Sequence, residues 1–281
     1  MTVQTITLND TTTIPQLGFG VFQVPPAQTQ KTVETAFEVG YRHIDTAQMY
    51  ENEEGVGAAV AASGLPRDEL YITTKLNNAF HRPDDTRRTF AESLDRLGLD
   101  RVDLFLIHWP LPTLYDGDFV ATWRTLAEFV EDGRATSIGV SNFQPAHLDR
   151  IVGETGVVPV VNQIEVHPYF GNEDARAASH RHDVVVEAWS PIAQGAVLDD
   201  AVIGTIASAH GKTPSQVTLR WHVQRGDIVF PKSMHEARMR ENFEIFDFSL
   251  TDDEVAAITA LDRGAAGRRG PDPDTFDWIP A

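Results

Sequence analysis

Four side chains within the first 108 residues have types and spacing suited to one kind of proton chemistry: Asp45, Tyr50, Lys75 and His108. Residues 43–45 form a short run ending at Asp45, with Tyr50 just beyond it. Residues 70–75 end at Lys75, and residues 102–108 read VDLFLIH and end at His108. If these runs are neighbouring parallel strands, a carboxylate, a phenol, an amine and an imidazole arrive at one rim. A free phenol titrates near ~10, too high for an efficient general acid at neutral pH. A neighbouring ammonium is expected to stabilise the phenolate and pull that value down, at ~1.4 kcal/mol per unit. The carboxylate would keep the amine charged and fixed. The imidazole would orient a substrate oxygen or relay a proton. The product is a tyrosine poised to protonate the alkoxide that develops when hydride attacks a carbonyl, and this needs no metal. Taken singly, each residue has an ordinary explanation: a helix cap, a solvated lysine, a satisfied core histidine. The reading rests on their joint arrival at one face.

The elements that must position them alternate in type. Short β-type runs fall at residues 15–20, 43–45, 70–75, 102–108, 136–140, 160–166, 184–188 and 228–230. Helical patterns fall at 28–39, 53–62, 84–97, 119–131, 145–151, 173–182, 202–209 with 215–224, 236–243 and 252–261. Near-continuous apolar strands imply burial on both faces, hence a parallel sheet covered by helices. Eight such units in 281 residues fit a (β/α)8 TIM barrel of the α/β class better than an open doubly wound sheet, the runner-up. A single domain over 1–281 is expected. Residues 5–15 alternate around Asn9-Asp10 and predict a β-hairpin plugging the barrel floor. The tail, 263–281, is rich in Gly, Pro, Arg and Asp, but Phe276 and Trp278 predict that it rests on something, over the active-site face.

Composition narrows the function classes. Lys and Arg number 23 against 41 Asp and Glu, a formal charge of −18. That argues against nucleic acid as a partner but leaves room for a local cationic cluster around a small anion. The absence of Cys removes disulfides, thiolate nucleophiles and iron–sulfur clusters. The N-terminus lacks the basic and apolar regions of a signal peptide, and no apolar run approaches the ~18–20 residues that span a bilayer. A cytoplasmic protein with no membrane partner is expected. The sequon at Asn9 is taken as chance.

Several motifs fail. Gly211-Lys212-Thr213 looks like the end of a phosphate-binding loop, but Ile206 stands where that loop needs its first Gly. The tripeptide reads as a turn, with Thr213 capping a helix and Pro214 at its first position. Gly55 and Gly57 lack the strand that precedes a dinucleotide fingerprint. No G-x-S-x-G and no H-E-x-x-H occurs, and the histidines offer no convincing metal pair.

Seven longer strings carry a resemblance: GYRHIDTAQMYENEEGVG (40–57), ITTKL (72–76), DLFLIHWP (103–110), SIGVSNF (137–143), NQIEVHPY (162–169), AWSPIAQG (188–195) and VFPKSMHEARMRENFEIFDFSLTDDE (229–254). In content and order they resemble the aldo-keto reductases over nearly the whole chain, especially the bacterial branch containing 2,5-diketo-D-gluconate reductases. The resemblance implies a catalytic tetrad of Asp45, Tyr50, Lys75 and His108 with Tyr50 as proton donor. It implies NADPH lying across the barrel rim. Ser141, Asn142 and Gln163 would hold the nicotinamide carboxamide, and Trp189 would stack on the ring, fixing the face that delivers hydride. Ser190, Ile192, Gln194 and Gly195 would follow the pyrophosphate. Lys232, Ser233 and Arg238 would take the 2′-phosphate of the adenosine ribose, with Glu241 and Asn242 near the adenine.

Phe22, Tyr50, Asn77, Trp109 and Trp278 are the expected pocket walls. Many relatives carry an aromatic soon after the Lys strand, so Asn77 makes that wall smaller and more polar. The expected activity is NADPH-dependent reduction of aldehydes or ketones by a monomer, with diketo sugar acids among the candidate substrates. A rival of another class is a slow, cofactor-sensing regulatory subunit on the same fold, bound to a protein partner. A metal-dependent barrel hydrolase is a third reading, and its ligand cluster is missing from the sequence.

Overall fold

A computed structural model describes residues 3–280. Its strands are β1 (Thr5–Thr7), β2 (Thr13–Pro15), β3 (Phe19–Gly20), β4 (His43–Asp45), β5 (Tyr71–Leu76), β6 (Val102–Ile107), β7 (Ala135–Ser141), β8 (Val161–Glu165), β9 (Val185–Trp189) and β10 (Ile228–Val229). Its helices are α1 (Pro26–Val39), α2 (Glu53–Ala62), α3 (Pro83–Leu97), α4 (Phe119–Glu131), α5 (Pro145–Thr155), α6 (Glu173–Arg181), α7 (Ala201–His210), α8 (Pro214–Gln224), α9 (Glu236–Phe243) and α10 (Asp252–Thr259).

Strands β3 to β10 pair in chain order, all parallel. Leu17 bridges to Val229, and the Gly18 N–H donates to Val229 O at 2.8 Å, so the first and last strands meet. That seam separates a (β/α)8 barrel from the open sheet. The extended run expected over 15–20 shrinks there to β3 and the Leu17 bridge. Backbone approaches closely at this point: a Cβ on Gly20 would lie 2.9 Å from Phe230 O. Only glycine fits such a crossing.

Helix ends follow from local chemistry. Pro83 opens α3, Asp84 and Asp85 sit in its first turn, Arg96 in its last, and Gly98 at φ +62° closes it. Gly211, at φ +62°, ends α7, while Thr213 and Gln216 form a capping box on α8. The phosphate-loop look-alike is therefore the turn it was expected to be.

Two apolar layers hold the barrel. Strand residues such as Phe105 and Ile107 pack outward on Phe90, Trp123 and Phe129, all buried. Inward, Leu104, Leu106, Val161, Ile228 and Phe230 fill the lower interior with Tyr71, and the β1–β2 hairpin adds Leu8 and Ile14 from below. The hairpin turn is tied to the strand starts: Asn9 Nδ2 donates to Pro159 O and Asp183 O at 3.0 Å, and Ser137 Oγ donates to Asp10 Oδ2 at 2.6 Å. It plugs the floor, as the alternation predicts. No helix among the described residues is long and apolar enough to cross a membrane.

Candidate active site

The four sequence-selected residues meet at the C-terminal rim of the barrel. Asp45 ends β4, and Tyr50 lies on the one-turn helix Gln48–Tyr50 that follows. The Gln48 side chain fixes this turn: its amide donates to Thr89 O and Ser93 Oγ, and its oxygen accepts the Asn77 N–H at 2.8 Å. Lys75 comes up β5, fully buried. Its Nζ donates to Asp45 Oδ1 at 2.6 Å, Thr46 O at 2.8 Å and Tyr50 Oη at 3.4 Å. The ammonium's three donors are thus spent on one carboxylate, one carbonyl and the phenol. The His108 ring stands edge-on to Tyr50, with centroids 5.7 Å apart.

Burial opposes charge on Lys75, but Asp45 and Tyr50 more than offset it and hold the ammonium above the usual lysine value. Burial, with help from the Lys75 charge, keeps the His108 imidazole well below the usual histidine value, hence neutral near pH 7. Its Nδ1 is buried without a partner. For Tyr50 the simple expectation needs correction. Lys75 does lower its pKa, but burial raises it more and Asp45 adds to the rise, so the phenol lies above its ordinary value. The ammonium's influence is partly cancelled by the carboxylate that holds it.

The residues expected along a dinucleotide share this rim. Ser141 ends β7 and Asn142 follows it, and Ser141 Oγ donates to Gln163 O at 2.8 Å. Asn142, at φ +64°, donates to His108 O and accepts the Trp189 indole N–H at 2.8 Å, fixing that ring. The Gln163 amide donates to both Asp45 Oδ2 and Glu187 Oε2 at 2.9 Å.

After Trp189 the chain turns tightly: Ser190 has φ of 50°, and the run Ala193, Gln194 and Gly195 has φ of 49°, 55° and 94°, after Ile192 at −105°. Lys232 and Arg238 are exposed, with no ion pair among the described residues, and flank buried Ser233 at the start of α9. These features fit a phosphorylated dinucleotide with an aromatic-stacked ring. Glu241 and Asn242, expected near the adenine, are also bound to α8: Thr213 Oγ1 donates to Glu241 Oε1 and Ser215 Oγ to Asn242 Oδ1.

The pocket walls are distributed less simply. Phe22 is 55% exposed and leans on Tyr50, with centroids at 5.0 Å. Asn77 caps the next turn through its oxygen, accepting the Ala79 N–H at 2.9 Å. Trp109 is buried, and the aromatic against it is Phe276, at 4.3 Å between centroids. Trp278 is 52% exposed and held by its carbonyl, which accepts from Asn78 Nδ2 at 2.9 Å. The tail therefore does cross the active-site face, with Phe276 rather than Trp278 on Trp109.

Several contributors escaped the sequence reading. Glu187 and Glu165 are inward-facing carboxylates in β9 and β8, and acidic residues within apolar strands were the available signal. His222 has no such signal. Its Nδ1 meets Asp227 Oδ2 at 2.9 Å and its Nε2 meets Pro191 O at 3.1 Å, so it buttresses the loop after Trp189 from behind.

The sequence matches the model of the Aldo/keto reductase family over residues 16–263. An aldo-keto reductase of Mycolicibacterium smegmatis is 48% identical over 273 residues, covering 97% of this chain and 98% of that protein. A Yersinia pestis protein named methylglyoxal reductase DkgA is 49% identical over 280 residues, covering 98% and 99%. Among solved structures, Gox0644 in its apo form superposes with a TM-score of 0.95 at 45% identity, covering 99% of this chain and 100% of that one. A mutant of Gox0644 in complex with NADPH gives 0.94 at 44%, with the same coverage. A Bombyx mori aldo-keto reductase in complex with NADP gives 0.88 at 36%, covering 96% and 95%. With a barrel closed at Leu17 and Val229, a tyrosine held by a buried lysine, and relatives matching from end to end, this chain belongs to the aldo/keto reductase family of oxidoreductases.

Proposed function

We propose that this protein is an NADPH-dependent reductase of small aldehydes and ketones, with Tyr50 as proton donor. One observation carries the reading: the Tyr50 hydroxyl is 3.4 Å from a fully buried Lys75 ammonium that Asp45 holds at 2.6 Å. Bound NADPH would supply the hydride that forms the new C–H bond at the carbonyl carbon. Tyr50 Oη and the neutral His108 would hold the carbonyl oxygen between them. As charge develops on that oxygen, the Tyr50 proton passes to it and completes the alcohol. The phenolate left behind sits beside Lys75, whose charge is then worth more than it was against the neutral phenol.

Ser141, Asn142 and Gln163 would take the carboxamide, Trp189 the nicotinamide ring, and Ser190, Ile192, Gln194 and Gly195 the pyrophosphate. Lys232, Ser233 and Arg238 would take the 2′-phosphate, with Glu241 and Asn242 by the adenine. Two free cations in a chain of charge −18 favour NADPH over NADH. Phe22, Asn77, Trp109 and Trp278 would line the substrate side. Methylglyoxal, from the name of the Yersinia pestis relative, and diketo sugar acids are the first substrates to try. The whole chain would act as one domain and as a cytoplasmic monomer.

The test is NADPH oxidation with a panel of carbonyl compounds, on wild type and Tyr50→Phe, alongside size-exclusion chromatography. The expected result is turnover that Tyr50→Phe abolishes while NADPH still binds. Undiminished turnover in that variant would contradict the assignment.

A further inference from the structure

Glu165 ends β8 in register with Trp189, its partner on β9. Its residue is 2% exposed, yet no Lys or Arg pairs with it among the described residues. Its carboxylate is spent on the C-terminal tail instead. Oε1 accepts the Arg269 N–H at 2.6 Å and meets His167 Nε2 at 3.0 Å, and Oε2 accepts the Gly270 N–H at 2.9 Å. A buried carboxylate taking two successive main-chain N–H groups makes a strong, directional clamp. At the clamp Gly270 lies close against the Trp189 ring: a Cβ there would stand 2.4 Å from Trp189 Cη2. Beyond it the tail crosses the rim, laying Phe276 on Trp109 and reaching Asn78 through the Trp278 carbonyl.

We propose that Glu165 is a positioning residue for substrate selection. By pinning the main chain at Arg269 and Gly270 it seats the tail against Trp189 and holds Phe276 as a fixed wall over Trp109. The wall discriminates carbonyl compounds by the size of the group attached to the carbonyl. A three-carbon substrate does not reach it, whereas an aromatic aldehyde does. Removing the carboxylate strands two main-chain donors, and the tail lifts at that point. The specificity part rests on the carbonyl reductase reading; the tail clamp does not.

The experiment uses full-length Glu165→Gln, Glu165→Ala and Gly270→Ala. Limited trypsin digestion, read by mass spectrometry, reports cleavage after Arg268 and Arg269. Steady-state kinetics compare methylglyoxal with benzaldehyde, and fluorescence titration gives the NADPH Kd. Glu165→Ala is expected to speed cleavage at those sites and to raise KM for benzaldehyde about tenfold, the scale of one lost charge-assisted hydrogen bond. Its kcat, its KM for methylglyoxal and its NADPH Kd should stay near wild type. Glu165→Gln keeps one acceptor oxygen and should fall between. Gly270→Ala, which leaves Glu165 intact but crowds the tail against the Trp189 ring, should likewise speed cleavage and raise KM for benzaldehyde even if Glu165→Ala fails to fold. Unchanged cleavage in the Glu165 variants overturns the clamp. Faster cleavage with an unaltered KM ratio overturns the role in selection. If wild type reduces neither aldehyde, the reductase reading has failed, and the digestion still decides the clamp.

Discussion

Lys75 Nζ lies 2.6 Å from Asp45 Oδ1, and the two side chains are 0% and 4% exposed. Such a pair contributes little net stability, because desolvation cancels most of the attraction, but breaking it leaves a buried charge unmet. Lys75→Met is therefore expected to lose about 3–5 kcal/mol of stability together with its reductase activity. The double variant Asp45→Asn/Lys75→Met should recover most of that stability while remaining inactive, since no cation then faces the Tyr50 phenolate. Urea unfolding and NADPH oxidation on the three proteins check this. Activity in the double variant would show that the ammonium is not needed.

The barrel and this pair were legible because each strand–helix unit is marked by its own residues, and Asp45 and Lys75 stand on successive strands of that series. Alternating apolar runs and helix caps mark each unit, and Asp45, Lys75 and His108 each end or follow a run. What stayed hidden depends on closure. The Glu165 clamp joins residues more than 100 positions apart, and Phe276 finds Trp109 only after the tail has crossed the rim. The direction of the Tyr50 shift was hidden for a related reason. Proximity to Lys75 can be read from strand ends, but the opposing cost of burial depends on how many atoms surround the ring.

That correction gives a pH expectation. Tyr50 must be protonated to act as an acid, and burial with the Asp45 charge holds it above the ordinary phenol value despite Lys75. His108 is neutral throughout the neutral range, because burial and Lys75 hold its pKa down. Reduction measured as kcat/KM should thus be flat from pH 6 to 9 and decline only at more alkaline pH. A decline centred near pH 7 would point to another proton donor.

Arg238 offers a test of cofactor choice. It is exposed and, among the described residues, unpaired, so its removal should not disturb the fold. A charge-assisted contact to a phosphate is worth ~1.5–3 kcal/mol, or roughly 10–100-fold in affinity. Arg238→Ala should weaken NADPH binding by about that factor and leave NADH nearly unaffected. Added salt should narrow the difference between wild type and variant for NADPH alone. Fluorescence titration with both nucleotides at two salt concentrations decides it, and an equal loss for both would move the phosphate site elsewhere.

Glu187 sits deeper, fully buried under Gln163, and Gln163 bridges it to Asp45. Burial, then the Asp45 charge, push its pKa up from 4.5 to about 8, against the pull of Gln163 and Lys75. The folded protein therefore keeps a proton on Glu187 that the unfolded chain releases above about pH 4.5. With more protons bound in the folded state, stability from this group is complete at low pH. It falls as pH rises from 4.5 towards 8 and changes little beyond that. Glu187→Gln keeps an acceptor for the Gln163 amide but has no proton to lose. The melting temperature of the variant relative to wild type should therefore climb between pH 5 and pH 8, by about 5 °C or more. A difference that is constant across that range would mean that Glu187 is ionised in the folded barrel, with Lys75 shared between two carboxylates.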